Sequence, residues 1–195
     1  MINKMIDKSI KGIKYRLDEE NLTAEVIQKK GYEGDIIIPE TVVFQEVAYR
    51  VTSIGERAFC QCEYLTSIVI PDSVTNIGQE AFEDCFSLEA IVIPNSVTSI
   101  GDRAFMGCIP LTSVVISDSV TSIGEEVFCC TDLKSIVIPN SVTSIGDCAF
   151  RDCCFLKSIR FNGTKAQWEK IQLGAGWNES LPTTVVRCTD GKVKI

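Results

Sequence analysis

Apolar positions in this chain change their period twice within each of five successive stretches, and the stretches share one design. The segment Val51-Thr52-Ser53-Ile54-Gly55 returns as Val74 to Gly78, Val97 to Gly101, Val120 to Gly124 and Val142 to Gly146. Its central Ile moves from 54 to 77, 100, 123 and 145, steps of 23, 23, 23 and 22 residues. Behind each Gly lies the same frame. An apolar residue and Phe come first (Ala58-Phe59, Ala81-Phe82, Ala104-Phe105, Val127-Phe128, Ala149-Phe150), then a Cys, a Leu and a β-branched run. The short step is read as a residue missing between Phe128 and Cys130, with Cys130 taken as the Cys of the repeated column.

The changes of period predict local structure. Val51 and Ile54 enter an extended turn that Gly55 ends, after which Ala58, Cys62 and Leu65 fall at i, i+4 and i+7, one face of about two helical turns. Acidic or amide residues follow each Gly (Glu56, Gln79, Asp102, Glu125, Asp147), where the positive end of a short helix would favour them. Leu65, Ile68 and Ile70 then read as a short strand with Ile68 and Ile70 inward, and Pro71, which offers no ladder donor, stops it. Asp72-Ser73 and Asn95-Ser96 supply turn chemistry before the next Val.

A single rung cannot bury its own apolar face, so neighbours must stack into one continuous core. That is a solenoid with one parallel strand per rung. Six strands can be counted: a degenerate first at Ile36-Ile37-Ile38-Pro39, then those ending at Ile70, Ile93, Ile116, Ile138 and Phe161. At the usual strand spacing the strand face spans about 25 Å. The organisation expected is a cap with a degenerate first rung over residues 1–50, five repeats over 51–161, and a closing cap over 162–195.

Open ends would expose core and strand edges, which gives the flanks a physical task. Leu17, Leu22, Ala24 and Val26, with Ile36 to Ile38, read as short strands of a hairpin with Asn21 in a turn. At the far end Thr164 is an N-cap for a helix over 165–172, with Trp168 and Ile171 on one face and Gly174 as its stop. Trp168 and Trp177 are expected to close the last rung; an aromatic platform for a sugar is the alternative.

The frame Ile-Gly-x-x-Ala-Phe-x-x-Cys-x-x-Leu-x-x-Ile-x-Ile-Pro, in five copies from Val51 to Phe161, resembles the BspA-like leucine-rich repeat family, its 23-residue Treponema-type class. Gly12-Ile13-Lys14-Tyr15, Tyr32-x-Gly34 and Ile38-Pro39 resemble that family's N-terminal cap, and Phe161-x-Gly163-Thr164-x-x-x-Trp168, Trp177 and Cys188-x-Asp190-Gly191 its closing segment. The resemblance implies a right-handed leucine-rich-repeat solenoid of α/β type, with short helical or 3-10 and extended segments on its other faces. It also implies a bacterial surface or secreted protein that binds or adheres to host or cell-surface proteins, such as matrix or mucosal proteins.

Composition narrows the function further. The 195 residues hold 19 basic and 26 acidic side chains, a formal charge of −7, which argues against nucleic acid as a partner. With no histidine the usual general base and commonest metal ligand are missing, and no Gly-rich phosphate loop occurs, so the chain reads as a non-enzyme without cofactor or metal. Met1 to Tyr15 is studded with Lys and lacks an apolar run, so neither a leader nor membrane insertion is read there, and a cytoplasmic address stays open.

Ten cysteines raise a redox or metal question. Cys62, Cys85, Cys108, Cys130 and Cys153 are read as one core column of small hydrophobes, while Cys60, Cys129, Cys148, Cys154 and Cys188 lie off it. No Cys-x-x-Cys occurs, which leaves a zinc ribbon or thioredoxin-type pair unsupported. Cys129, Cys148 and Cys60 are the thiols expected at the surface.

The strand face is the candidate binding surface, because parallel strands align equivalent side chains. Ser67, Ala90, Ser113, Ser135 and Ser158 form one outward column, and Val69, Val92, Val115, Val137 and Arg160 the next. Beside them Thr66, Glu89, Thr112, Lys134 and Lys157 run from acidic to basic. Two functions fit: a recognition scaffold whose valine strip takes a protein partner, or a structural spacer that at most self-associates.

Overall fold

The computed structural model describes residues 5–195. The first four residues of the Lys-studded opening, and of the 1–50 cap, lie outside the described residues. The chain starts with a hairpin, β1 (Met5–Ile10) on β2 (Ile13–Asp18), and β3 (Thr23–Val26) continues it antiparallel to β2. The Asp18 carboxylate accepts from the Glu20 and Asn21 amides, and Leu22, expected in a strand, is instead an exposed left-handed turn residue. β4 (Glu33–Ile37) follows and, against the hairpin reading of Ile36 to Ile38, does not pair with these strands but runs parallel to the segment of Ile68 and Val69. β5 (Thr41–Phe44) and β6 (Val47–Ile54) then form a second hairpin that the sequence pattern did not reveal.

From β6 the repeat takes over. The longer strands of the repeats are β7 (Tyr64–Val69), β9 (Ala90–Val92), β11 (Ser113–Val115), β13 (Ser135–Ile138) and β15 (Ser158–Phe161). Between them lie two-residue strands, β8 (Asn76–Ile77), β10 (Ser99–Ile100), β12 (Ser122–Ile123) and β14 (Ser144–Ile145). The end of the chain adds helix α1 (Lys165–Trp168), β16 (Gln172–Leu173), β17 (Val185–Cys188) and β18 (Gly191–Lys194).

Two parallel stacks result. The short-strand stack pairs Val26 with Ile54, Ile54 with Ile77, Ile77 with Ile100, Ile123 with Ile145 and Ile145 with Leu173. The other places β4 on β7, β9 on β11, and β13 on β15 on β17, every pair parallel. It therefore holds a seventh strand, β17, beyond the six counted from sequence. β18 returns antiparallel on β17 and covers that edge.

The third side of each rung is not helical, and the reason lies in the backbone. Arg57 and Gln61 are left-handed (φ 56° and 58°), as are their equivalents in the later rungs. This alternation turns every second amide away from its own segment. Ala58, Cys60 and Cys62 donate three residues back, to Gly55, Arg57 and Phe59, while Arg57, Phe59 and Gln61 donate to Gln79, Ala81 and Glu83 of the next rung. A left-handed non-Gly residue costs on the order of 1–2 kcal/mol, and the inter-rung ladder offsets it. The inward set is nonetheless the one a helix would present: Ala58, Cys62 and Leu65 are all buried. With no helix end beneath them, the acidic residues after Gly have another use. Asp102 Oδ1 accepts from the Glu125 amide at 2.8 Å and Asp147 Oδ1 from the Ala175 amide at 2.7 Å.

Stacking also explains the Gly column. A Cβ on Gly78 would stand 2.7 Å from the Glu56 nitrogen, and one on Gly146 would stand 2.6 Å from the Glu125 nitrogen. Glycine is required by the close approach of the neighbouring rung's backbone.

Inside, Phe59, Phe82, Phe105, Phe128 and Phe150 form one file, with centroids 5.1, 5.2, 5.6 and 5.6 Å apart and rings within 15° of parallel. Tyr32 closes it at one end, tilted by 46°. At the other, Trp177 meets Phe150 edge-on at 6.2 Å and packs on Trp168, which rests against Phe161. The bond from the Phe150 amide to the Trp177 carbonyl places Trp177 in the register of Ala149. Among the described residues no further rung stacks on it, and a large ring fits where the earlier rungs have Ala or Val. Thr164 caps α1 through a capping box with Gln167, but the helix stops at Trp168 because the chain must rejoin the stack at Gln172 and Leu173. Gly174 accordingly sits in the glycine column, against the backbone of Gly146 and Asp147, and does not stop a helix.

The one-residue deletion falls elsewhere than the sequence suggested. Cys130 is left-handed (φ 60°) like Gln61, Asp84, Gly107 and Asp152, and it is exposed. Thr131 fills the buried slot held by Cys62, Cys85, Cys108 and Cys153, its hydroxyl donating to the Phe128 carbonyl at 2.9 Å. The missing residue is therefore in the corner between Thr131 and Leu133. Phe105→Ala should cost about 3–5 kcal/mol, the range for a buried Phe. Gly146→Ala should cost about 1–3 kcal/mol by overpacking although it adds one methyl. Urea unfolding of the two variants against the native chain checks both.

Candidate partner-binding face

Strand pairing decides which side chains stand together. Asp35 pairs with Ser67, Ala90 with Ser113, and Ser135 with Ser158 in one column. In the next, Ile37 pairs with Val69, Val92 with Val115, Val137 with Arg160 and Arg160 with Arg187. The apolar members are open to water: Ile37 is 71% exposed, Val69 55%, Val92 62%, Val115 55% and Val137 43%. Ser67, Ala90, Ser113, Ser135 and Arg160 are exposed as well, so all nine candidate positions lie on one face.

Sequence reasoning missed both ends of this stripe. Ile37 was legible, since Ile36-Ile37-Ile38-Pro39 matches Ile68-Val69-Ile70-Pro71 position for position. Arg187 had no such signal, because its rung lacks the frame. The central part of the face is a trough of about 710 Å³ whose lining includes Val69, Val92 and Val115 together with Asp72 and Asp118. From sequence Asp72 reads only as a turn residue, and nothing singles out Asp118.

Charge changes along the face. At the β4 end Asp35 accepts hydroxyl hydrogen bonds from Ser67 at 2.6 Å and Thr66 at 2.9 Å, which hold its carboxyl below the usual range. At the β17 end Arg160 and Arg187 stand in register, with Lys134 and Lys157 in the flanking column. The face is therefore apolar along its middle and basic at the β17 end, while at the β4 end Glu33 and Asp35 share a cleft with Lys11 and Lys29.

The thiols divide differently from expectation. Cys129, expected outside, is buried, while Cys130 and Cys154 are exposed and Cys60 and Cys148 half-buried. In the core column Cys85, Cys108 and Cys153 donate through sulfur to the Phe carbonyls of the preceding rung at 3.2, 2.9 and 3.0 Å. Burial pushes the Cys62 and Cys153 thiols up to about 11 and Cys129 to about 12, so each is protonated at neutral pH.

A stack of Leu-framed rungs with a regular strand face defines a leucine-rich-repeat solenoid. The chain belongs to the BspA-type leucine-rich repeat family, whose pattern matches residues 52–172 in six copies. Among solved structures it is similar to the leucine-rich repeat protein of T. pallidum, at 28% identity and a TM-score of 0.74 over 91% of both chains. It is also similar to a leucine-rich cell surface protein of Faecalibacterium prausnitzii, at 30% identity and a TM-score of 0.50, over 83% of this chain and 56% of that one. The pneumococcal vaccine antigen PcpA shares the fold at 23% identity and a TM-score of 0.60, over 83% of this chain and 50% of that one. This chain thus spans little more than half the length of the F. prausnitzii protein. Comparison with curated proteins finds no match. Among the described residues no helix is long and apolar enough to cross a membrane.

Brief alkylation of the native protein at neutral pH should modify Cys130 and Cys154 first. Cys62, Cys85, Cys108, Cys129 and Cys153 should react only after unfolding. Peptide mass mapping of the two samples reads this, and modification of Cys108 as fast as Cys154 would contradict the buried column.

Proposed function

We propose that this chain is a non-enzymatic protein-binding scaffold of a bacterial surface or secreted protein, and that it engages a host or cell-surface protein through its strand face. The observation that carries this conclusion is the stripe Ile37, Val69, Val92, Val115 and Val137, five apolar side chains exposed in consecutive strands. Contiguous exposed apolar area on a monomer tends to mark an interaction site. A hydrophobic centre with a basic end at Arg160 and Arg187 also supplies direction, since a partner with one acidic end gains in one orientation and loses in the other. Ser67, Ser113 and Ser135, with Ala90 in the same column, would form a rim of small side chains and Arg160 the cationic anchor.

The surface setting is supported by the F. prausnitzii relative, which is described as a cell surface protein. A scaffold role is supported by what the polar residues do: Asp102, Asp147, Ser141 and Thr131 each serve a backbone group of the solenoid.

The test is the double change Val92→Glu and Val115→Glu, read by capture of matrix and mucosal proteins on the immobilised chain. Removing the central contacts should lower capture tenfold or more, since one central contact contributes on the order of 1–2 kcal/mol. Unchanged capture with folding intact would leave only the spacer role. Light scattering separates self-association: a native dimer that the double change converts to monomer would assign the stripe to a second copy of the chain.

A further inference from the structure

Outside the strand face, the turn side of the shortened rung brings together Cys129, Cys130 and Asp152, whose ligand atoms all lie within 4.8 Å of one another. The two sulfurs are 3.4 Å apart. Around a tetrahedral zinc ion with the usual zinc–sulfur bond, two thiolates stand about 3.8 Å apart. The thiols therefore need to open by only a few tenths of an ångström to admit such an ion.

Stacking builds this arrangement, which spacing rules based on Cys-x-x-Cys do not detect. Cys129-Cys130 occupies the positions that Arg151-Asp152 occupies one rung later, so Asp152 lies directly across from Cys130. The backbone is fixed at each donor. Cys129 accepts from the Gly107 amide and donates to the Glu126 carbonyl, Cys130 donates to the Arg151 carbonyl, and Asp152 donates to the Glu179 carbonyl. The Arg151 guanidinium pairs with Asp152 Oδ2 at 3.7 Å and also hydrogen-bonds the Cys129 thiol, so it has to swing aside, toward Glu126 at 2.8 Å, as a cation enters. Cys129 is buried while Cys130 and Asp152 are exposed, which gives a cation a route from solvent and leaves the fourth position to water.

We propose that Cys129, Cys130 and Asp152 form a binding site for a thiophilic divalent cation, zinc by preference. Two sulfurs and one carboxylate select zinc over magnesium or calcium, which take all-oxygen sets. On binding, two thiol protons are released to solvent, two metal–sulfur bonds and one metal–oxygen bond form, and no electron is transferred. The cation then joins the rung of Cys129 to that of Asp152, one of which is a residue short, and stabilises that junction by its binding free energy. The site is independent of the strand face and of any partner there.

Co²⁺ titration of the whole chain under anaerobic, thiol-reducing conditions with a non-chelating reductant tests this. A thiolate-to-cobalt charge-transfer band should saturate at one equivalent and disappear when Zn²⁺ is added. Cys130→Gly, which restores the residue that the preceding rung has as Gly107, should abolish the band, and Asp152→Asn should weaken binding by roughly tenfold or more. Cys154→Ser and Cys60→Ser should leave it unchanged. Zn²⁺ should raise the melting temperature of the native chain and not that of Cys130→Gly. A native chain without a saturable band at one equivalent, or a band retained in Cys130→Gly, would overturn the proposal.

Discussion

Every feature of this protein depends on how closely one rung's backbone lies on the next. The approach is tight enough to exclude a Cβ from the column of Gly78 and Gly146, and it lets the left-handed turns donate every second amide across the gap. A solenoid without these bonds would leave polar backbone unpaired on its turn side, at about 1–3 kcal/mol for each buried group. With them, one rung's position fixes that of its neighbour. The Phe file, the two strand stacks and the thiol column are consequences of that registration.

Registration also turns repetition into surface. A residue exposed once in a rung becomes a column when the rungs stack, so valine after valine becomes a stripe, and drift between repeats becomes a gradient of charge. The turn side shows the same effect. Arg57 meets Glu80 at 2.7 Å, and Arg103 and Arg151 hold Glu126 at 2.6 and 2.8 Å. The carboxylates are largely buried and the guanidiniums partly exposed, so the attraction in each pair is partly offset by desolvation of its acid. Their alternation does, however, keep like charges apart where successive rungs are closest.

The closing elements solve a different problem. At a free end the core lacks its next layer, and the residues that replace that layer cannot follow the repeat. Tyr32 tilts over Phe59 at one end, and at the other Trp177 takes a position that is Ala in most rungs and lies across Phe150. The hairpin of β17 and β18 and the β1–β2 hairpin cover strand edges by antiparallel return.

The amino-acid sequence alone determined the repeat, the inward set and the face on which Val69, Val92 and Val115 stand, because all three follow from period and side-chain size. It could not distinguish a helical turn from the left-handed ladder at Arg57 and Gln61, since both bury Ala58, Cys62 and Leu65, and only hydrogen bonds to the next rung separate them. It also misplaced the deletion, because Cys130 and Thr131 are equally plausible core residues by size; the stacked backbone decided for Thr131 and turned Cys130 outward. Only the tertiary structure brought Cys130 opposite Asp152 and extended the stripe to Arg187. Those neighbours are more than twenty residues apart along the chain and meet only because one rung rests on another.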